Sequence, residues 1–255
     1  MSTRRYVLEL AYNGTRYAGW QRQPNAVSVE QTVDEALSMI LREPIKIVGC
    51  GRTDTGVHAS YYVAHFDFAG SFPPGFLRRY NRFLADDIAI LGLYEVPTDF
   101  HARFHATSRS YEYKLVFHKD PFRPDTVTSL PQFQDLDRDK IQAAAALLLD
   151  YEEFAPFCKT NSDAFTMKCT LTEARWNFGE EEWTFHISAN RFLRGMVRLI
   201  VGMCVSVGEG KLTLADVRRA LDSQQRLPKP WSAPAAGLYL SAVEYPVKAR
   251  WRPVS

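Results

Sequence analysis

Two hydrophobic periods alternate along the chain. Residues 5–12 are rich in large apolar side chains at strand spacing, which predicts a strand. A loop over 13–26 follows. Ser28-Val-Glu-Gln31 then has capping-box spacing. Val33, Leu37, Ile40 and Leu41 recur at helical spacing, which predicts a helix to about Arg42. Further strands are expected over 45–48, 61–68 and 88–96. A loop over 49–60 lies among them, with a helix opening at Pro73-Pro74 and carrying Phe76, Leu77, Tyr80, Phe83 and Leu84. The order is β-α-β-β-α-β, a split βαβ arrangement.

The second half echoes it. A strand is expected over 111–117, a helix over 139–149 and a hairpin over 167–178 and 183–188. A helix over 190–207, a shorter one over 214–221 and a closing strand over 238–245 complete it. The expected fold class is therefore α/β (α+β): two similar split βαβ halves, 1–105 and 106–255, with antiparallel or mixed sheets and a central cleft. The halves share a pattern without residue-level identity. Open sheets of this kind commonly bind RNA on the uncovered face.

The chain has 255 residues, 46% hydrophobic and 24% charged, which excludes a disordered protein. No apolar run approaches the roughly 17–25 residues of a membrane span, and Glu9 interrupts the start of the chain too early for an ordinary signal peptide. Cys50, Cys158, Cys169 and Cys204 form no Cys-x-x-Cys pair. They read as reduced thiols in a cytoplasmic protein rather than as metal ligands.

A net charge of +2 does not itself point to nucleic acid. The placement of charge does more. Long windows lack any carboxylate yet hold Arg78, Arg79 and Arg82, or Arg103 and Arg109, or Arg191, Arg194 and Arg198. Such windows can build a positive face on a near-neutral protein. Arg78, Arg103 and Arg191 are accordingly candidates for substrate binding.

Four segments carry candidate chemistry. In Gly51-Arg-Thr-Asp-Thr-Gly-Val-His-Ala59, Asp54 is the only acid between Pro44 and Phe66. It reads either as an Asx-turn residue or as a catalytic carboxylate kept ionised by Arg52. His58 reads as a satisfied structural histidine. In Asn190-Arg-Phe-Leu-Arg-Gly-Met-Val-Arg198, the expected helix would align Arg191, Arg194 and Arg198 in one stripe. Arg198, set among apolar residues, calls for a carboxylate partner such as Asp54, whereas a solvated basic edge suits the other two. The segment from Phe100 to Tyr113 interleaves basic and aromatic residues, as a surface that grips phosphates and stacks bases would. It also reads as a plain linker into a strand. Ala233 to Leu240 is a turn entering the last strand.

Together these segments resemble the tRNA pseudouridine synthase A family. The resemblance covers nearly the whole chain. It rests on Tyr12-Asn-Gly-Thr-Arg-Tyr-Ala-Gly-Trp-Gln-Arg-Gln23, the Gly51–Ala59 loop, Phe100-His-Ala-Arg-Phe104, Asn190–Arg198 and Gly237-Leu-Tyr-Leu240. Thr55 stands where the family usually has Ala, and Gly195 where it often has His. The resemblance implies a pseudouridine synthase fold and isomerisation of uridines 38 to 40 in the tRNA anticodon arm. It further implies a homodimer that uses neither metal nor organic cofactor. It gives Asp54 the role of the essential acid and Arg198 that of its pairing arginine. Tyr111 would stack on the target uracil, Leu238 would pack beside the base, and Arg52 would help extrude the nucleotide. Two other classes compete. A non-catalytic RNA-binding module would bind without turnover. A hydrolase would need a second carboxylate or metal ligands, and neither accompanies Asp54 in its loop.

Overall fold

The computed structural model describes residues 2–133, 135–160, 165–246 and 248–254. The chain divides into two compact units, Met1–Thr107 with Leu240–Ser255, and Ser108–Tyr239.

The first unit contains β1 (Arg4–Tyr12), α1 (Val29–Leu41), β2 (Val48–Gly49), β3 (His58–Phe68), α2 (Phe76–Phe83) and β4 (Ile88–Val96). The strands β4-β1-β3 are neighbours in that order, all antiparallel, with β2 paired to β3. Central β1 is buried on both faces. On one face Tyr6 meets Phe66 and Phe72, and the aromatic chain continues through Phe76 to Tyr80. The Tyr80 hydroxyl donates to the Val33 carbonyl of α1 at 2.8 Å, which ties the two helices together.

The other face carries Glu9 and His65, and the last residues of the chain cover it. Tyr245 and Trp251 pack with Phe100, and Trp251 also meets Tyr94. Lys248 pairs with Glu9 at 2.8 Å, and the hydroxyls of Tyr61 and Tyr94 donate to the same carboxylate. Burial pushes the Glu9 carboxyl up, but Lys248 and the two hydroxyls outweigh it and hold the group below its ordinary value. Beyond this contact a short β10 (Arg252–Pro253) pairs with β4.

The second unit contains β5 (Ser108–Val116), β6 (Thr128–Ser129), α3 (Arg138–Leu147), β7 (Leu171–Phe178), β8 (Trp183–Ala189), α4 (Met196–Gly208) and α5 (Leu214–Ser223). Its strands run β5-β8-β7, antiparallel, with β6 parallel to β5. Helix α3 packs on α4 and β7. The strand β9 (Leu238–Glu244) begins in this unit and continues into the first. The mixed α/β architecture expected from the alternation of periods is thus the one present.

The structure corrects several expected elements. Of the strand expected over 45–48, residues 45–47 are not extended in a sheet and only Val48 belongs to one, β2. The backbone N–H of Ile47 donates to Asp34 Oδ1 and that of Ile45 to Ser38 Oγ, so α1 side chains take the bonds a strand partner would. The capping box at Ser28 is half formed: Ser28 Oγ accepts from the Gln31 N–H, while the Gln31 amide turns to Glu35. A complete box occurs at Thr213 and Asp216. Most consequentially, α4 starts at Met196 rather than Asn190. Gly195 caps it at φ 70°, a left-handed conformation that interrupts the helix whatever the apolar period suggests. Arg191 and Arg194 therefore lie in a loop, and no stripe with Arg198 exists.

That loop reveals an echo between the units. Helix α2 is also capped by a left-handed glycine, Gly75, three residues after a phenylalanine. Phe72 and Phe192, Gly75 and Gly195, and Arg78 and Arg198 occupy matching places, with each arginine third in its helix.

Candidate active site

In the first unit, the loop holding Asp54 is clamped by the loop after β1. The Tyr12 hydroxyl bonds Thr53 Oγ1 at 2.9 Å, Trp20 N–H donates to the Thr53 carbonyl at 3.3 Å, and Gly56 N–H donates to the Tyr17 carbonyl at 3.2 Å. Val57 N–H closes a turn on the Asp54 carbonyl at 3.1 Å. Two glycines allow the close approach. A Cβ on Gly14 would lie 2.0 Å from the Val57 carbonyl oxygen, and one on Gly19, itself at φ +83°, would lie 2.2 Å from that of Thr53. Beneath the loop, Trp20 stacks on Tyr62 at 4.0 Å, and the Tyr62 hydroxyl donates to the Gly51 carbonyl.

His58 is buried, and its Nδ1 accepts from Gly14 N–H at 3.0 Å. It is a structural histidine, as expected. Asp54 is half-buried and Arg52 exposed on the same loop. Arg78 is exposed on α2, and Arg103 is exposed in the turn that follows Phe100.

In the second unit, β5 presents Tyr111 opposite Ile187. Its half-exposed ring meets the edge of Phe192 at 5.1 Å and 89°. Such a T-shaped contact fixes a ring while leaving much of it uncovered. The loop carrying Arg191 and Phe192 is anchored at both ends. Asn190 exchanges bonds with Thr170 and accepts from Arg109, and the Arg194 carbonyl accepts from Lys159 N–H at 3.0 Å.

Arg198 is locked to the turn entering β9. Its Nε donates to the Ala233 carbonyl at 2.6 Å, and Ala233 N–H returns a bond to the Arg198 carbonyl at 3.0 Å. The same turn receives β5. The Tyr113 hydroxyl donates to the Pro234 carbonyl, Lys114 N–H donates to the Gly237 carbonyl, and Leu238 N–H closes on the Ala235 carbonyl. Burial, with lesser lowering influences from Thr128 and Arg198, drives the Tyr113 phenol well above its ordinary range, so it stays protonated as a donor. Arg198, buried Leu238 and the strand of Tyr111 are therefore brought together, while Arg191 sits beside Phe192 in the separate anchored loop.

Sequence reasoning missed Gly19, Phe192 and Ala233. The glycine lay inside a quoted motif, but its neighbour across the clamp is remote in sequence. Phe192 and Ala233 act through tertiary contacts that no local period encodes. Among the described residues no three His, Cys, Asp or Glu side chains gather as a metal would require, and no helix is long and apolar enough to cross a membrane. All four thiols are buried, and burial raises those of Cys169 and Cys204 to about 11 and about 12, which leaves them protonated.

A family profile described as tRNA pseudouridine synthase matches residues 144–246. The chain is also similar, along nearly its whole length, to proteins named tRNA pseudouridine synthase A. That of Porphyromonas gingivalis is 48% identical over 247 residues, 95% of this chain and 97% of the relative. That of Bacteroides fragilis is 42% identical over 249 residues, 96% and 98% of the two chains. That of Chlorobaculum tepidum is 39% identical over 246 residues, 96% and 99% of the two chains.

Proposed function

The chain belongs to the tRNA pseudouridine synthase A family, and from that premise we propose that it isomerises uridines 38, 39 and 40 of the tRNA anticodon stem-loop through Asp54. The N1–C1′ bond breaks, the uracil turns, and C5 bonds to C1′. C5 loses its hydrogen as a proton and N1 gains one, so neither oxidant nor water is consumed. Asp54 acts at the sugar, by adding to C1′ or by taking the C2′ proton. Both routes need an ionised carboxylate, and Arg198 is assigned the counter-charge. Leaving the stack costs the target base a few kcal/mol. Stacking on Tyr111 returns roughly 1–3 kcal/mol. Leu238 supplies apolar packing beside the base, and Arg52, Arg78, Arg103 and Arg191 hold phosphates.

The observation that supports this reading most is the clamp on the Asp54 loop. It commits two glycines and three aromatic residues to the position of one half-buried carboxylate, in a chain similar along nearly its whole length to the named synthases. The enzyme is assigned to the cytoplasm, where its tRNA substrate is, and to a homodimer, which light scattering would report as twice the 29.1 kDa chain mass. The decisive experiment is tritium release from tRNA transcripts labelled at uridine C5. Wild type releases tritium, and Asp54→Asn binds the same tRNA without release. No release by folded wild type, from transcripts bearing uridines 38 to 40, overturns the reading.

A further inference from the structure

The turn over 101–105 is built as a rigid mount for one exposed ring. Three side chains pin its backbone from beneath. Arg5 Nη1 donates to the Phe100 carbonyl at 2.7 Å, Ala102 N–H donates to His65 Nδ1 at 3.2 Å, and the buried Tyr245 hydroxyl donates to the Ala102 carbonyl at 2.6 Å. Within the turn, His105 N–H closes on the His101 carbonyl at 3.0 Å, and His101 Nδ1 accepts from the N–H groups of Arg103 and Phe104. On this mount Phe104 stands 72% exposed. The His101 ring lies 4.2 Å from it, and the Arg103 guanidinium carbon lies 5.6 Å from its centroid.

A lone exposed phenylalanine is ordinary. A phenylalanine on a fixed turn, flanked by an imidazole and a guanidinium, is not a spare core residue. The electrostatics favour an anionic partner. No carboxylate occurs in the chain between Asp99 and Glu112, and Asp67, on the same sheet face as His65, is held in a two-pronged pair by Arg5 at 2.7 and 2.8 Å. The identity of the anionic partner rests on the synthase reading above. We propose that Phe104 is a stacking platform for an unpaired base of the tRNA, with Arg103 gripping the phosphate beside that base. Every base offers a π-face, so the platform adds affinity without reading sequence. Because the mount is already ordered, little conformational freedom is lost when the base lands.

The test compares Phe104→Ala, Phe104→Leu and Phe104→Trp with wild type. It measures tRNA binding at fixed salt, tritium release from C5-labelled tRNA, thermal melting and mass by light scattering. The ring is exposed, so all three fold. Ala and Leu weaken tRNA binding and raise KM by about 5- to 100-fold, kcat changes little, and Trp restores binding. Arg103→Ala lowers the slope of log affinity against log salt by about 1, whereas Phe104→Ala leaves that slope alone. Wild-type affinity in Phe104→Ala overturns the platform, as does binding kept by Leu but lost by Ala. A change of mass in Phe104→Ala, with tRNA affinity per active unit unchanged, assigns the ring to a second copy of the chain and overturns it too. If wild type releases no tritium yet binding still depends on the ring, the synthase reading falls and the platform stands.

Discussion

Gly19 lies against the carbonyl of Thr53, so close that a Cβ would sit 2.2 Å from its oxygen and 3.1 Å from the Asp54 carbonyl carbon. Gly19→Ala must therefore move the loop of the proposed catalytic acid, besides straining a backbone at φ +83°. The strain is of order 1–3 kcal/mol, and a shift of about 1 Å can cost roughly 10²-fold in rate. Tritium release should fall by about that factor in kcat, with tRNA binding retained. Full turnover in a folded Gly19→Ala protein would show that the clamp does not set the position of Asp54.

Tyr111 is held edge-on by Phe192 at 5.1 Å. The proposed stacking would use the ring, and the hydroxyl is proposed to serve separately in proton transfer. Tyr111→Phe is expected to bind tRNA as wild type does and to lose turnover. Tyr111→Ala is expected to lose both, its affinity by roughly 1–3 kcal/mol. Binding and single-turnover rates separate the two, and full turnover by Tyr111→Phe ends the proposed role of the hydroxyl.

Arg198 gives its Nε to Ala233 at 2.6 Å, a bond that lysine has no matching donor to make. Arg198→Lys keeps the charge and frees the turn that also carries Leu238. The expected loss is about 1.5–3 kcal/mol of stability, the value of a charged hydrogen bond, together with a fall in kcat. Urea unfolding and tritium release measure these. Unchanged stability would mean that the pair with Ala233 contributes nothing to holding the turn.

Two buried groups in the first unit titrate with opposite consequences. Burial, aided by Arg5 and His101, lowers His65 to about 4. The unfolded chain takes up that proton first, so stability falls as pH drops from about 6.5 to 4. Burial raises Asp34 to about 6, against the opposing bond from Ile47 N–H. The unfolded chain releases that proton first, so stability falls as pH rises from about 4 to 6. The two contributions largely cancel in wild type. Asp34→Asn removes one of them, so it should gain up to about 3 kcal/mol above pH 6 and show a steep loss below pH 6.5. Melting curves from pH 4 to 8 test this, and a pH-independent difference between the proteins would refute it.

The legible part of the molecule was what local sequence encodes. The apolar periods located α1, β4 and α5, and the Gly51–Ala59 loop stood out because so few residues carried so much chemistry. The start of α4 was not legible. Apolar residues continue through Leu193, and only the left-handed backbone at Gly195 separates loop from helix. The buried Ile45 and Ile47 imitated a strand because their N–H groups are satisfied by Ser38 and Asp34 of α1. The echo of Phe72, Gly75 and Arg78 in Phe192, Gly195 and Arg198 was invisible until the two caps could be compared as conformations rather than as letters.

The cover that Tyr245, Lys248 and Trp251 place over Glu9 and Phe100 also bears on how the protein is born. A ribosome delivers β1 before the second unit and most of this cover after it. Through most of synthesis one face of the first sheet is unsealed, with a buried-to-be carboxylate and a cluster of aromatic rings open to solvent. The first sheet, begun before the second unit, is sealed only after it.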